Sequence, residues 1–190
     1  MDNKPVLICI VGESGSGKTT LSKLITSYFG IQEIESYTDR PMRDDEIGTK
    51  TNHTFLSRSQ YDEIERTEHR IASVLFGGFR YCATREQVNQ HGMCTYIVDE
   101  LGYKYLLKYF KDEFNIISIR VSCDKNERIS RVGIERVSRD IGMFNTNVKF
   151  FDYRIIDKNI YETTIEAIRI TSEIINKFPT RYKHVRHEES

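Results

Sequence analysis

The sequence predicts an α/β fold in which a parallel β-sheet is flanked by helices. The first observation is the run from Pro5 to Val11, which is apolar and β-branched almost throughout, as in a strand covered on both faces. The second is the glycine-rich turn that follows this run directly and leads into a helical pattern. The third is the recurrence of apolar runs at residues 94–98 and 116–121, with helical patterns between and after them. Strands that alternate with helices favour a parallel sheet with right-handed crossovers.

The remaining elements follow from helical spacing and stop signals. The first helix is predicted over residues 18–29 and ends at Gly30, since glycine is common just past a helix C-terminus. A short strand is predicted at residues 153–156. The last helix is predicted to begin beyond Asn159, because apolar residues recur after it at helical spacing. Its predicted buried face consists of Tyr161, Ile165, Ile168, Ile175 and Phe178.

The chain is predicted to form one domain over residues 1–180. Residues 36–84 interrupt the strand–helix rhythm because they are polar, carry arginines and are rich in Thr, Ser and Gly. We therefore expect an inserted substrate-binding lobe. The predicted parts are a core at 1–35 and 92–180, a lobe at 36–91, a lid at about 128–142 and a flexible tail at 181–190.

Composition narrows the function classes. The chain has 190 residues, of which 29% are charged, and Lys plus Arg (28) balance Asp plus Glu (28). This balance gives no overall positive field that would recruit nucleic acid or an anionic membrane. No apolar run approaches the roughly 18 residues of a membrane span, and the first residues lack a cleavable signal segment, so we expect a cytoplasmic protein. The four cysteines are dispersed, and the five histidines match no zinc motif, so a metal is expected to arrive with a ligand.

A phosphate-binding loop is predicted directly after the first strand. Residues 12–19, GESGSGKT, fit the pattern GxxxxGK[ST], with the required strand before it and helix after it. Backbone N–H groups of such a loop and the helix N-terminus point at a phosphate chain, Lys18 reaches the β and γ phosphates, and Thr19 holds Mg²⁺. The sequence thus predicts the P-loop NTPase fold with ATP as ligand. The predicted ATP-binding residues are Gly12, Glu13, Ser14, Gly15, Ser16, Gly17, Lys18, Thr19 and Thr20.

A small kinase is the class that remains. The sequence has no NKxD box for reading guanine in a GTPase, and it is too short for a helicase or transport ATPase with a second domain. An anionic acceptor requires arginines, and Arg40 and Arg43 stand three residues apart in the segment 36–46. The alternative interpretation of this segment is a solvated charged turn in which the arginines pair with the acidic residues at 44–46.

Together with the loop, this segment resembles the guanylate kinase family of nucleoside monophosphate kinases, whose GxSGSGKTTL loop is followed by SxTTRxxRxxE. Four further segments resemble family steps: residues 53–55 (Y-x-F), 78–84 (G-x-x-Y-G-T), 99–102 (D-x-x-G) and 152–156 (D-Y-x-x-x). The resemblance implies that several residues bind the acceptor monophosphate. They are Ser36, Arg40, Arg43, His53, Tyr81, Thr84 and Asp99. Asp99 has three open roles, namely holding the metal through water, contacting the acceptor, or capping the next helix.

The lid is predicted from four crowded arginines. The segment 136–140, RVSRD, resembles the family's R-L-x-x-[AD] motif, which provides a lid arginine. On one continuous helix, positions 128, 131, 136 and 139 would lie near one face and close over the transferring phosphoryl group. The predicted catalytic residues are Lys18, Arg131, Arg136 and Arg139. The alternative interpretation is a surface helix in which nearby acidic residues balance the charge of the arginines.

The resemblance implies transfer of the ATP γ-phosphoryl group to GMP or dGMP with Mg²⁺. Residues 70–76 contain no acidic residue, although the family usually places one there to read guanine, so the acceptor base stays open. Two alternatives remain: a P-loop kinase for another (deoxy)nucleoside monophosphate or phosphate-bearing acceptor, and a binding module that grips a phosphorylated partner without catalysis. The expected partners are small-molecule nucleotides, with neither nucleic acid nor membrane, and a homodimer is left open.

Overall fold

A five-stranded parallel sheet forms the centre of the molecule in this computed structural model, which describes residues 4–49, 51–67, 69–145, 147–157 and 159–179. The strand order is β2-β7-β1-β8-β9. The strands are β1 (Val6–Val11), β2 (Gln32–Glu33), β7 (Met93–Val98), β8 (Asn115–Ser122) and β9 (Tyr153–Ile156). The apolar runs predicted as strands all lie in this sheet. No described helix is long and apolar enough to cross a membrane.

Helices cover both faces of the central sheet, as predicted for a buried parallel sheet. They are α1 (Lys18–Phe29), α3 (Arg85–His91), α4 (Glu100–Phe110) and α7 (Ile160–Lys177). All six residues of β1 are buried, and they alternate between two cores. Leu7 and Cys9 share a cluster with Leu106 of α4, whereas Ile8 and Ile10 share one with residues of α1 and α7.

The predicted buried face of α7 was wrong. Tyr161 is 72% exposed and Ile165 is 47% exposed, whereas the predicted residues Ile168, Ile175 and Phe178 are only partly buried. The buried residues are Thr163, Ala167, Ile170, Thr171 and Ile174, which also recur at helical spacing. This face packs on α1, and its small threonine and alanine side chains suit a close helix–helix contact.

A second, four-stranded sheet lies within the predicted substrate-binding lobe, in the order β4-β3-β6-β5. Its elements are β3 (Ser36–Thr38), β4 (His53–Phe55), α2 (Arg58–Glu65), β5 (Arg70–Phe76) and β6 (Phe79–Thr84). Arg80 ties the lobe together, because its guanidinium pairs with Asp39, Asp62 and Glu65 and lies 4.5 Å from the centre of the Tyr61 ring.

The lid consists of two short helices rather than the one continuous helix expected from the arginine spacing. These are α5 (Lys125–Val132) and α6 (Ile134–Arg139). Gly133 separates them with φ of 82°, a left-handed value that glycine adopts without a steric penalty. The arginines of the lid therefore do not share one helix face. The predicted flexible tail, residues 181–190, lies outside the described residues.

Candidate functional site

A cavity of about 690 Å³ opens at the carboxyl end of β1, where ligands bind in open α/β sheets. Three parts of the chain form its walls: the loop after β1, the substrate-binding lobe and the lid. The cavity brings together most of the residues predicted to bind ATP or a monophosphate. From those predictions the lining includes Gly12, Ser14, Gly15, Ser16, Gly17, Lys18, Thr19, Thr20, Ser36, Arg43, His53, Tyr81, Asp99, Arg131, Arg136 and Arg139.

The glycines of the loop are required by its backbone. Gly15 and Gly17 have φ of 75° and 96°. A Cβ atom at Gly12 would lie 2.4 Å from the carbonyl oxygen of Val121, and one at Gly17 would lie 2.8 Å from a carboxylate oxygen of Asp157. Gly17 precedes α1 and provides no side-chain cap, so this helix N-terminus presents backbone N–H groups to a ligand in the cavity.

Lys18 lies among other cations at the floor of the loop. Its Nζ donates a hydrogen bond to the carbonyl oxygen of Glu13 at 2.9 Å. Burial lowers the pKa of Lys18 to about 8; the charge of Asp140 opposes the shift, and Arg120 and Arg136 add to it. Phosphate oxygens next to Nζ would reverse this shift, because they favour the charged amine.

Two of the predicted lid arginines, Arg131 and Arg139, donate hydrogen bonds to the phosphate loop. Arg131 donates to the Gly15 carbonyl at 3.2 Å and pairs with Asp157 at 2.5 Å. Arg139 donates to Ser14 Oγ at 3.1 Å. Arg136 lines the cavity, and its buried Nε has no hydrogen-bond partner among the described residues. The structure therefore places the three predicted lid arginines around the loop.

Two buried arginines support the loop from behind. Arg128 donates from Nε to the Ser14 carbonyl at 3.0 Å and pairs with Glu13 at 2.8 Å. Arg120, on β8, lies 3.7 Å from the same carboxylate. Glu13 was predicted to bind ATP, but its side chain does not line the cavity. It instead holds these two arginines beneath the loop.

Arg40 and Arg43 both pair with the carboxylate of Glu46. Arg40 donates to both carboxylate oxygens of Glu46 at 2.8 Å, and Arg43 donates to one of them at 3.1 Å. Burial opposes ionisation of Glu46, but the hydrogen bonds from Arg40 and from the backbone N–H of Arg43 outweigh it and lower the pKa of Glu46 to about 2. The charged-turn interpretation is correct for the pairing with Glu46, but the turn is not solvated at Arg40, which is buried. Arg43 and Glu46 line the cavity.

Two predicted acceptor residues lie outside the main cavity. Arg40 lines an adjoining space of about 300 Å³ that Arg139 and Tyr81 also border. Thr84 stands at the start of α3, where its backbone N–H donates to Gln87 Oε1 at 2.9 Å, and it does not line either space. The sequence pattern placed Thr84 near Tyr81, but on β6 it lies three residues further along the strand and beyond the cavity.

His53 takes the place of a phosphate-binding tyrosine in the resemblance. Its ring packs edge-on against Phe55 and Tyr81, with centroid distances of 6.0 and 5.8 Å. Burial lowers the pKa of His53 to about 4, and the charge of Arg40 contributes to the shift. The imidazole is therefore neutral near pH 7 and offers a ligand hydrogen bonds rather than charge.

Asp99 caps a helix and also lines the cavity. Its Oδ1 accepts a hydrogen bond from the Gly102 N–H at 2.6 Å, as an N-cap of α4. Burial raises the pKa of its carboxyl group above the ordinary value. Together with the exposed Thr19 hydroxyl, it provides hard oxygen atoms of the kind that Mg²⁺ prefers. These residues fit a magnesium ion that is bound mainly by nucleotide phosphates.

Sequence reasoning missed two carboxylates at this site. Asp140 Oδ2 accepts a hydrogen bond from the Ser14 N–H at 2.6 Å. Asp157 accepts hydrogen bonds from Arg131 and from the Thr163 hydroxyl at 2.8 Å, and it lies against Gly17. The position of Asp157, directly after β9 at the carboxyl edge of the sheet, was a usable signal. Asp140 ends the segment that resembles the R-L-x-x-[AD] pattern, but that resemblance assigned it no role, and its partner Ser14 stands 126 residues earlier in the chain.

Comparison with solved structures identifies the fold. A crystal structure of guanylate kinase from Anaplasma phagocytophilum matches with a TM-score of 0.66 at 18% sequence identity, covering 93% of this chain and 88% of that one. The crystal structure of TT1252 from Thermus thermophilus matches with a TM-score of 0.51 at 14% identity, covering 90% and 98%. The predicted α/β P-loop NTPase fold, a parallel sheet flanked by helices, is therefore confirmed.

One curated protein provides a distant sequence relative. Adenylate kinase from Chlamydia muridarum (strain MoPn / Nigg) is 28% identical over 151 residues, which cover 65% of this chain and 58% of that protein. The chain thus spans little more than half the length of this relative. No protein-family model matches the sequence.

Proposed function

We propose that this protein is an ATP-dependent nucleoside monophosphate kinase. The observation that carries the proposal is the single cavity in which a phosphate loop with Lys18 faces a lobe that presents Arg43, His53 and Tyr81. A donor triphosphate and an anionic acceptor can thus meet in one open cleft. The guanylate kinase and adenylate kinase likenesses support this general activity.

The proposed reaction is direct, in-line transfer of the γ-phosphoryl group. Such a transfer needs positioning and charge neutralisation more than covalent catalysis, because negative charge spreads over the oxygens in the transition state. Loop amides and Lys18 would hold the donor phosphates, and Arg131, Arg136 and Arg139 would neutralise the moving charge. Magnesium held by Thr19 and the phosphates would supply further neutralisation, with Asp99 near it.

Arg43 is the residue we assign to the acceptor phosphate, with Ser36, His53 and Tyr81 around it. Arg40 would act one step away, because its two hydrogen bonds fix the carboxylate of Glu46 that also orients Arg43. This arrangement makes Arg40 a positioning residue in the proposed mechanism. We keep Thr84 out of the mechanism because it lines neither space.

The finer proposal is that GMP or dGMP is the acceptor, and it rests on the sequence resemblance. The adenylate kinase relative makes AMP an equal competitor. The wall near the lobe contributes Ala72 and Val74 rather than an acidic side chain at the position expected to read guanine. The base preference therefore needs a direct assay.

A coupled ADP-release assay tests both levels of the proposal. The protein, MgATP and each ribo- and deoxyribonucleoside monophosphate in turn are combined, and ADP formation is followed. We expect at least one monophosphate to stimulate ADP formation. Lys18→Ala should abolish this stimulation, and the most active monophosphate identifies the preferred base. If ATP binds but no monophosphate stimulates ADP formation, the nucleoside monophosphate kinase proposal fails, and a kinase for another phosphate-bearing acceptor or a phospho-partner binding module replaces it.

A further inference from the structure

The carboxylate of Asp140 lies on the phosphate loop. Its side chain is 1% exposed, and Oδ2 accepts a hydrogen bond from the Ser14 N–H at 2.6 Å, a short distance for an amide donor. Oδ1 accepts hydrogen bonds from Arg139, whose Nη2 also donates to Ser14 Oγ at 3.1 Å. Asp140 belongs to the lid, directly after α6, so the lid delivers this carboxylate to the loop.

The surroundings of Asp140 are those of a bound anion. An inward-facing loop amide, the guanidinium of Arg139 and the nearby amine of Lys18 are the groups that bind a phosphate in such a loop. Asp140 also borders the main cavity, although its side chain is buried between the loop and the lid. It therefore occupies a position that an anionic ligand of the loop would use.

The position of Ser14 indicates which phosphate is concerned. Lys18 and Thr19 begin α1 and lie at the inner end of the loop, whereas Ser14 contacts the lid through Arg139 and Asp140. Arg139 also lies 5.0 Å from the centre of the Phe76 ring in the lobe. The phosphate that is transferred must face both the lid and the lobe, so the Ser14 amide lies at the terminal phosphate of a donor.

We propose that Asp140 is a donor-specificity residue, whose carboxylate occupies the terminal-phosphate position at Ser14 and is displaced by a triphosphate but not by a diphosphate. The inference rests on the proposed function, because it assumes that the loop binds the phosphates of ATP. Displacement of the carboxylate breaks its hydrogen bonds with Ser14 and Arg139. The guanidinium of Arg139 then becomes available to the γ-phosphate, and the end of α6 is released from the loop.

The charge-removing variant Asp140→Asn tests the proposal, because its amide oxygen can still accept the Ser14 hydrogen bond. Binding is measured by isothermal titration calorimetry with MgATP, MgADP and two probes without a base, tripolyphosphate and pyrophosphate. We expect affinity for MgATP and tripolyphosphate to rise about tenfold, since one like charge is removed, and affinity for MgADP and pyrophosphate to change less than about twofold. Glu135→Gln, an exposed change of the same charge on α6, is the matched control and leaves all four affinities within about twofold.

Three results for Asp140→Asn would overturn the proposal, and unchanged affinity for triphosphate is the first. Equal gains for triphosphate and diphosphate would reduce Asp140 to a general source of negative charge, and weaker MgATP binding would assign it to metal or loop support. Asp140→Ser repeats the measurement with a smaller uncharged side chain if the asparagine variant does not fold. Because these titrations contain no acceptor, they are independent of turnover. An absence of ADP formation in the wild-type coupled assay would refute the kinase proposal alone, whereas normal turnover with unchanged triphosphate affinity in Asp140→Asn would refute this inference alone.

Discussion

At the residue scale, Glu46 determines how the two arginines of the lobe are presented. Arg40 is 6% exposed and bound to both carboxylate oxygens, whereas Arg43 is 32% exposed and lines the cavity. The pKa of Glu46, about 2, keeps this carboxylate ionised across the physiological range. Arg40 and Glu46 thus hold one side of Arg43 and leave its guanidinium accessible from the cavity.

Arg43→Ala should raise the Michaelis constant for the monophosphate at least tenfold and change that for ATP less than twofold. A charge-assisted hydrogen bond to phosphate contributes about 1.5–3 kcal/mol, which corresponds to roughly 10- to 150-fold in affinity. Steady-state kinetics with each substrate varied separately measures the two constants. Arg169→Ala, on the exposed side of α7, is the control for loss of one surface arginine. Equal effects on both substrates would contradict the assignment of Arg43.

The lowered pKa of Lys18 predicts that ATP binding weakens at alkaline pH. The charged amine binds phosphate, and burial lowers its pKa to about 8, so above pH 8 the protein must take up a proton as ATP binds. The dissociation constant should rise by up to about tenfold per pH unit between pH 8 and the pKa of the complex. Calorimetry in buffers of different ionisation enthalpy measures the proton uptake.

Lys18→Arg is the control for this prediction, because the guanidinium stays charged throughout the range. This variant should bind ATP more weakly than the wild-type protein and take up no proton on binding. Its dissociation constant should stay constant between about pH 7.5 and about pH 9.5. A flat profile in the wild-type protein would show that Lys18 is already fully charged without phosphate and would contradict the prediction.

At the element scale, Gly133 separates α5 from α6 and so sets the direction of Arg136, Arg139 and Asp140. A Cβ added at Gly133 would meet no atom within 4 Å, so any cost of substitution comes from its φ of 82° alone. That backbone value is strained for residues with a side chain. The glycine is therefore needed for the path of the chain rather than for packing.

Gly133→Ala should lower the free energy of unfolding by about 1–3 kcal/mol, because backbone with φ of 82° and ψ of 157° is adopted essentially only by glycine. We also expect turnover to fall more than substrate affinity, because the lid arginines are redirected. Chemical denaturation and steady-state kinetics measure the two effects. Ser130→Ala, an exposed change on α5, should leave turnover within about twofold. Unchanged turnover in Gly133→Ala would separate the lid angle from catalysis.

Local signals predicted the central elements, whereas contacts distant in sequence were missed. Continuous apolar runs predicted β1, β7 and β8 because a strand buried on both faces needs them. The break at Gly133 was missed because arginine spacing was interpreted on an assumed continuous helix. The burial of Thr163 and Ala167 was missed because the close contact with α1 favours small residues over the more apolar side chains nearby.

At the scale of the whole molecule, the proposed donor and acceptor walls of the cavity belong to different sheets. The phosphate loop extends from the central sheet, and Arg43, His53 and Tyr81 belong to the lobe built on the second sheet. Two ligands that bind separate walls of the cavity make separate contributions to the free energy of unfolding. Each term depends only on its own concentration and dissociation constant, unless closure of the cavity couples them.

Saturation with ATP at a hundredfold excess over its dissociation constant should stabilise the protein by about 2.7 kcal/mol, and the active monophosphate should add a similar amount. Thermal unfolding with each ligand alone and with a non-transferable ATP analogue plus monophosphate measures the increments. Lys18→Ala should lose the ATP increment and keep the other, whereas Arg43→Ala should show the reverse pattern. Loss of both increments in either variant would indicate one shared site.

The strand order of the central sheet also affects how the protein folds during synthesis. β1 is the middle strand and all its residues are buried, yet its neighbours begin only at Met93 and Asn115. At about 5–20 residues per second, a ribosome needs several seconds to synthesise the intervening chain. Throughout that interval the apolar segment VLICIV has no native partner strand and is open to pairing with another nascent chain. Yield in a cell should therefore depend on chaperones that shield β1 until β8 has left the ribosome.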